Sequence, residues 1–184
     1  MRKKLGELLK VEHGYAFDSS KYVDDGEYRL VTLANFNEGN NSFAKKDDKA
    51  KYTNEVPESR FILGKDDLVL PLTEQVIGLF GNSAFVPEAS NFRYVLNQRV
   101  GKITNLSKDI DLNYLHYLLA TNSVKKQLED RASGTKQRNI SPNDVYDVLV
   151  NIPEKEKQEK IGIFLRNIEN RIEINNRIND NLCY

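Results

Sequence analysis

Three features predict an α+β fold: short β-branched runs parted by turn residues, one leucine-rich amphipathic segment, and a long helical pattern closing the chain. The expected architecture is a mixed or antiparallel twisted sheet with flanking helices, followed by a long C-terminal coiled-coil helix. Pro153 marks the boundary, giving a globular part over residues 1–152 and a dimerisation or spacer helix over 153–184.

Near the N-terminus, Gly14-Tyr15-Ala16-Phe17-Asp18-Ser19-Ser20 combines a permissive glycine, two aromatics and hydroxyls, with Phe17 expected in the core and Ser19 exposed. Strands are expected over Tyr28–Leu33, Asp67–Leu72, Val76–Phe80, Ala84–Val86 and Tyr94–Ile103, where β-branched, leucine and aromatic residues concentrate. Turn-formers separate them, at Asn35 to Asn41 with Gly39 and at Gly81-Asn82-Ser83, while Lys45 to Lys51 reads as a loop or a surface helix. Connections this short favour antiparallel or mixed pairing.

Asp111 has the chemistry of an N-cap, and Leu112, Leu115, Leu118, Leu119, Val124 and Leu128 then recur at helical spacing until Gly134. Ser141-Pro142 starts another short helix, with proline at the first helical position, and Val148–Val150 reads as a last strand.

The final helix runs from Glu154 to Leu182. Turning about 100° per residue, it aligns Ile161, Phe164, Leu165, Ile168, Ile172 and Leu182 in one stripe, interrupted by Asn175 and Asn179. Buried asparagines in such a seam select register and partner number at a cost in stability. Ile163, Ile174 and Ile178 lie on the opposite side. For Ile163 the choice between packing on its own domain and meeting a partner is open; for Ile174 and Ile178, farther out, a second protein is expected. Asparagine is a mediocre helix former, so the order of this segment depends on packing.

Formal charge is zero, but its distribution is uneven. Residues 93–138 hold nine basic and four acidic side chains, a surplus of five, whereas residues 139–184 hold six basic and eight acidic, a deficit of two. A basic face on a neutral chain suits local contact with phosphates, and equally a solvated surface. No run of about 18 apolar residues exists for a membrane span, and the composition points to a soluble, cytoplasmic protein.

An enzyme site is not legible. His13 and His116 are the only histidines, His116 falling inside an amphipathic helix, and neither has cysteine or acidic neighbours at metal-ligand spacing. The single cysteine, Cys183, excludes an intramolecular disulfide. No phosphate-binding glycine loop, dinucleotide fingerprint or nucleophile elbow occurs, and the acidic pairs Asp24-Asp25, Asp47-Asp48 and Asp66-Asp67 adjoin turns. The chain is expected to be non-catalytic, with no metal and no bound cofactor.

Binding chemistry is more evident. In Ala132–Ile140, Gly134 lets the backbone bend after a helix; Ser133, Thr135 and Lys136 suit phosphates, while Gln137 and Arg138 suit the edges of adenine and guanine. An ordinary polar connection would carry the same residues. Thr73-Glu74-Gln75, expected as an exposed cluster between two strands, could accept from cytosine through Glu74 and read adenine through Gln75, or be a plain hairpin turn. Alternation along a strand would place Arg93, Asn97 and Arg99 on one face. Tyr15 and Ser19 complete the candidate contacts.

Gly14-Tyr15-Ala16-Phe17, Leu96-Asn97-Gln98-Arg99-Val100-Gly101, Gly134-Thr135 with Gln137 and Ile140, and Ile152-Pro153 leading to Gln158, Ile161, Leu165, Ile168 and Ile172 appear in an order and spacing. Together they resemble the specificity subunit of type I restriction-modification systems. That resemblance implies a DNA target-recognition domain without catalytic activity, reading one half of a bipartite site in double-stranded DNA. It also implies partners: a methyltransferase subunit that uses S-adenosylmethionine to modify adenine at N6, and a restriction subunit that cleaves. Members typically carry two recognition domains separated by antiparallel helices, so this sequence looks like half of one: either a half-subunit that forms a homodimer through the C-terminal helix, or the N-terminal portion of a longer chain. Lys157-Gln158 stands where the family usually has Glu-Gln, a change expected to alter only local helix-start contacts. Two other classes stay open: a dimeric transcription regulator with a coiled-coil tail, and a structural or antirestriction protein that binds such a complex and no DNA.

Overall fold

The computed structural model describes residues 1–37, 41–44 and 47–182. The turn expected at Gly39, the start of the charged stretch at Lys45 and the cysteine at 183 lie outside the described residues; Asp47–Lys49 forms a short 3-10 turn. The strands are β1 (Arg2–Lys4), β2 (Lys10–His13), β3 (Tyr28–Val31), β4 (Tyr52–Thr53), β5 (Ile62–Leu63), β6 (Leu68–Pro71), β7 (Thr73–Glu74), β8 (Ala84–Phe85), β9 (Arg93–Leu96), β10 (Val100–Thr104), β11 (Arg138–Asn139) and β12 (Leu149–Asn151). The helices are α1 (Leu112–Leu119), α2 (Asn122–Glu129), α3 (Pro142–Tyr146) and α4 (Lys155–Leu182).

Two four-stranded sheets form the body, and both pairing types expected from the sequence occur. One sheet is antiparallel in the order β2-β10-β6-β8; the other, β4-β3-β9-β5, has the parallel pair β3 and β9 at its centre. β6 is buried on both faces, which is why Leu68-Val69-Leu70 is continuously apolar. Leu68 and Leu70 join Leu5, Leu8, Phe80, Leu115, Leu119 and Val145 in a core beneath the helices. Val69 points the other way, into a second core with Val31, Leu63, Leu79, Val86 and Leu96 between the sheets. β1 pairs with β12, Lys3 opposite Val150, tying the two ends of the globular part together.

The caps follow the sequence: Asp111 accepts from the Tyr114 amide at 2.8 Å, and Ser141 and Asp144 form a reciprocal capping box at the start of α3. Several boundaries differ. The expected strand Tyr94–Ile103 is two strands, β9 and β10, parted by a turn in which the Val100 amide donates to the Asn97 carbonyl at 2.9 Å, so Arg93, Asn97 and Arg99 do not share a strand face. Val76–Phe80 is a loop, because the Glu74 carboxylate takes the Leu79 and Phe80 amides at 3.0 and 3.1 Å and removes them from any ladder. The helix expected from Leu112 to Leu128 breaks after Leu119; the Thr121 hydroxyl donates to the Leu118 carbonyl, and the leucine spacing persists because both pieces cover the same core.

α4 leaves the globular part by packing along α1. Gln158 is fully buried and binds three backbone groups there: its Oε1 accepts from the Asp111 amide at 3.0 Å, and its Nε2 donates to the carbonyls of Asp109 and Pro153, each at 2.9 Å. One turn on, Gly162 admits the close approach of α1, since a Cβ there would lie 2.8 Å from both Asp111 Oδ1 and the Tyr114 amide nitrogen. Farther out, Glu169 Oε2 accepts from Tyr117 at 2.9 Å and Arg166 at 3.2 Å, and Arg166 stacks on Phe85 at 4.1 Å. Ile161 and Leu165 are half-buried, whereas Phe164, Ile168, Ile172, Ile174, Ile178 and Leu182 are exposed. Ile163 is exposed as well, which decides the open choice against packing on its own domain.

Candidate nucleic-acid interface

Backbone hydrogen bonds gather residues far apart in sequence into one strip. The Tyr15 amide donates to the Leu96 carbonyl at 3.0 Å, and the Gln98 amide donates to the Tyr15 carbonyl at 2.9 Å. Gly14 is required beside them, because any side chain there would overlap the Asn97 carbonyl. The Arg99 carbonyl accepts from Leu72, and the Leu72 carbonyl accepts from Ile140, both at 2.9 Å. From there β7 and β11 pair antiparallel, Thr73 opposite Asn139 and Glu74 opposite Arg138. Tyr15, Arg99, Thr73 to Gln75 and Ser133 to Arg138, chosen separately as candidate contacts, thus lie along a continuous edge.

Within this strip some side chains face outward and some hold the frame. Ser133, Thr135, Lys136 and Gln75 are exposed, and Gln137 and Arg99 partly so. Arg99 and Lys136 make no ion pair among the described residues. Glu74 is the opposite case. Expected in an exposed cluster, it is only 1% accessible, and Thr73 is buried with it, the Thr73 hydroxyl donating to Asn139 Oδ1 at 2.8 Å. Arg138 is therefore not free to read a base: its Nε donates to Glu74 Oε1 at 2.8 Å, its Nη2 donates to the same oxygen, and its guanidinium lies 5.7 Å from the Phe80 ring centre. A buried carboxylate needs such a partner, and the nearest cation in the register supplies it. Both residues belong to the scaffold of the strip.

Cations and carboxylates both lie near the strip. Burial pushes the Lys125 ammonium below its ordinary pKa, while Glu129 and Glu74 pull it back; Lys125 Nζ donates to the Gly78 carbonyl at 3.3 Å. Burial also raises the Tyr22 phenol, which lies near Asn97 and Arg99. Arg93 sits at the far end of β9, where its amide binds the Glu27 carbonyl at 2.8 Å, and it does not join the strip. Ser19 is exposed on the 3-10 turn Ser19–Lys21, capped by Asp18. Sequence reasoning did not single out Lys125, Asn139, Val76 or Ile77; Asn139 is held by the Thr73 hydroxyl and Lys125 by the Asn82 side chain and the Gly78 carbonyl, partners distant in sequence that composition does not reveal.

Arrayed hydroxyls, amides and exposed cations on one edge can bind a polyanion and question its edges, and among the described residues of this edge no nucleophile is paired with a base. Among the described residues no group of three His, Cys, Asp or Glu is placed to hold a metal ion, and no helix is long and apolar enough to cross a membrane. His116 is wholly buried, its Nδ1 2.8 Å from the Ser83 hydroxyl, as a core histidine. A family model described as type I restriction modification DNA specificity domain matches residues 1–183. The chain belongs to that family. As a specificity domain it is 29% identical over 179 residues to the type I restriction enzyme MjaVIII specificity subunit of Methanocaldococcus jannaschii, with 93% of this chain and 40% of that protein covered. Its fold resembles the type I restriction-modification S subunit from M. genitalium, with a TM-score of 0.61 at 16% identity over 94% of this chain. The HsdS subunit from Thermoanaerobacter tengcongensis gives 0.57 at 17% identity over 96%. This specificity domain spans 40% of the length of the curated relative and 40% and 39% of those two structures.

Proposed function

We propose that this specificity domain directs a partner adenine-N6 methyltransferase and a restriction endonuclease subunit to a bipartite site in double-stranded DNA, itself binding no cofactor while the methyltransferase uses S-adenosylmethionine. The observation that carries the reading is the strip: four separate segments converge on one edge on which Arg99 and Lys136 make no ion pair among the described residues, as contact with phosphates and base edges requires. Residues 1–152 are the reading head, and residues 153–184 set the distance to a second head. The exposed stripe of Phe164, Ile168, Ile172 and Leu182, with Asn175 and Asn179 in line and Ile174 and Ile178 behind, supports a homodimer through this helix. At roughly 1.5 Å per residue the helix is about 40 Å long, close to one turn of B-DNA, so two-fold pairing would match two half-sites on successive major-groove faces.

Methylome sequencing of cells with and without the gene is the direct test. Loss of N6-methyladenine from one split motif is expected, together with co-purification of a methyltransferase subunit. An unchanged methylome would refute the assignment, and sequence-specific DNA binding without any methyltransferase would favour a dimeric regulator.

A further inference from the structure

Val76 and Ile77, at the outer end of the β7–β11 ladder, are 53% and 77% exposed. Both are large and apolar, and they sit side by side in the loop after β7. The loop is held from beneath at each end. Glu74 Oε2 binds the Leu79 and Phe80 amides and so closes the loop on itself, Arg138 fixes Glu74 from β11, and Lys125 Nζ holds the Gly78 carbonyl, where the backbone turns at φ +103°. Three charged side chains, Glu74, Arg138 and Lys125, are thus committed to holding the loop that presents two apolar side chains to the outside.

The neighbourhood identifies what should cover them. Antiparallel register, Glu74 opposite Arg138, makes residues after 74 and residues before 138 leave the same end of the ladder, so Gln75, Lys136 and Gln137 flank the apolar tip. A protein-docking patch would be expected to extend its apolar surface; here the surround is two carboxamides and the exposed cation Lys136. Apolar contact ringed by amides and positive charge matches the major-groove edge of an A·T pair, where the thymine C5 methyl lies beside hydrogen-bonding adenine atoms and flanking phosphates. Accepting that this domain reads DNA, we infer that Val76 and Ile77 recognise thymine through its C5 methyl group.

The test uses the assembled methyltransferase complex and its mapped target duplex, each thymine replaced in turn by deoxyuridine, which lacks only that methyl. Binding is measured by fluorescence anisotropy at one salt concentration. At one or two positions the wild-type complex should lose roughly three- to fivefold in affinity, the value of burying one methyl group. Ile77→Ala or Val76→Ala should lose affinity for the thymine duplex and be indifferent to deoxyuridine at that position, with unchanged salt dependence, thermal stability and assembly with the methyltransferase. The inference is overturned if no deoxyuridine matters, if the penalty survives in both variants, or if the variants fail in assembly before DNA is added. A wild-type complex with no preference for its mapped target would instead refute the DNA reading itself.

Discussion

Replacing Arg138 by alanine should destabilise the whole domain, because it strands a charge rather than exposing a contact. Glu74 is 1% accessible, and its Oε1 depends on Arg138 for both of its side-chain hydrogen bonds. Breaking a buried ion pair from one side costs about 3–5 kcal/mol. Arg138 keeps 24% of its side-chain exposure, and Glu74 Oε2 retains the amides of Leu79 and Phe80, so a reduced cost of about 2–4 kcal/mol is expected. For a chain of this size that is a fall in Tm of roughly 5–15 °C. Urea unfolding of the wild type, Arg138→Ala, Glu74→Gln and the double variant would measure the coupling. Removing the stranded charge in the double variant should restore at least half of the loss. Hydrogen exchange should show the Leu79 and Phe80 amides less protected in Arg138→Ala. A single variant within 0.5 kcal/mol of wild type, or a double variant no more stable than Arg138→Ala, would refute the scaffold role and return Arg138 to the candidate base readers.

Gln158→Ala leaves the Asp111 amide and the carbonyls of Asp109 and Pro153 buried without their partner, and should cost about 2–4 kcal/mol with α4 released from α1, seen as proteolysis near residue 155. Lys136→Ala should weaken the assembled complex on all duplexes alike and lower the slope of log K against log salt by about one, whereas a change in sequence preference would contradict a phosphate role. Glu169 gives a pH dependence: burial opposes its ionisation, but His116, Tyr117 and Arg166 outweigh that and hold its carboxyl below the ordinary 4.5. A depressed folded pKa contributes stability above the unfolded value, so docking of α4 should be intact above about pH 5 and weaken as pH falls through the folded pKa; Glu169→Gln should abolish that acid transition, and its persistence would assign it elsewhere.

The legible parts of this molecule are those whose cause is local. The Asp111 cap and the Ser141-Pro142 helix start follow from side chains acting on adjacent backbone, and the β3 and β6 runs and α4 from apolar patterns contained within each segment. The misread parts have causes distant in sequence. Nothing near Val76 says that Glu74 will turn inward; its partner is 64 residues away, and the composition of the segment equally suits a strand. The break at Asn97 needs Tyr15, whose backbone takes the pairing that a continuous strand would have used. The candidate residues of the strip were identifiable by type, yet hydrogen-bonding capacity does not distinguish a side chain that reads a ligand from one that builds the reader. Arg138 and Gln137 are adjacent and both have the hydrogen-bonding groups to read a base; only the first meets a buried carboxylate.

The same distinction divides α4. Its helical period carries apolar residues on two sides, which implies two neighbours, and the first neighbour is α1. Gln158, Gly162 and Glu169 point at the domain, and at about 100° per residue Ile168 and Ile172 lie about a quarter-turn away from them. Because Gln158 and Glu169 are eleven residues apart and both bonded, the helix is fixed against rolling about its own axis over about three turns, and the direction of its open stripe is thereby fixed relative to the strip that carries Lys136 and Ile77. A freely jointed arm could join two copies yet leave their heads free to swivel, and no preferred spacing between half-sites would follow. A clamped arm transmits orientation: in the proposed homodimer a second helix joined to the open stripe would inherit the angle set by α1, so the separation of its two reading heads would be determined by Gln158 and Glu169 as much as by the apolar seam itself.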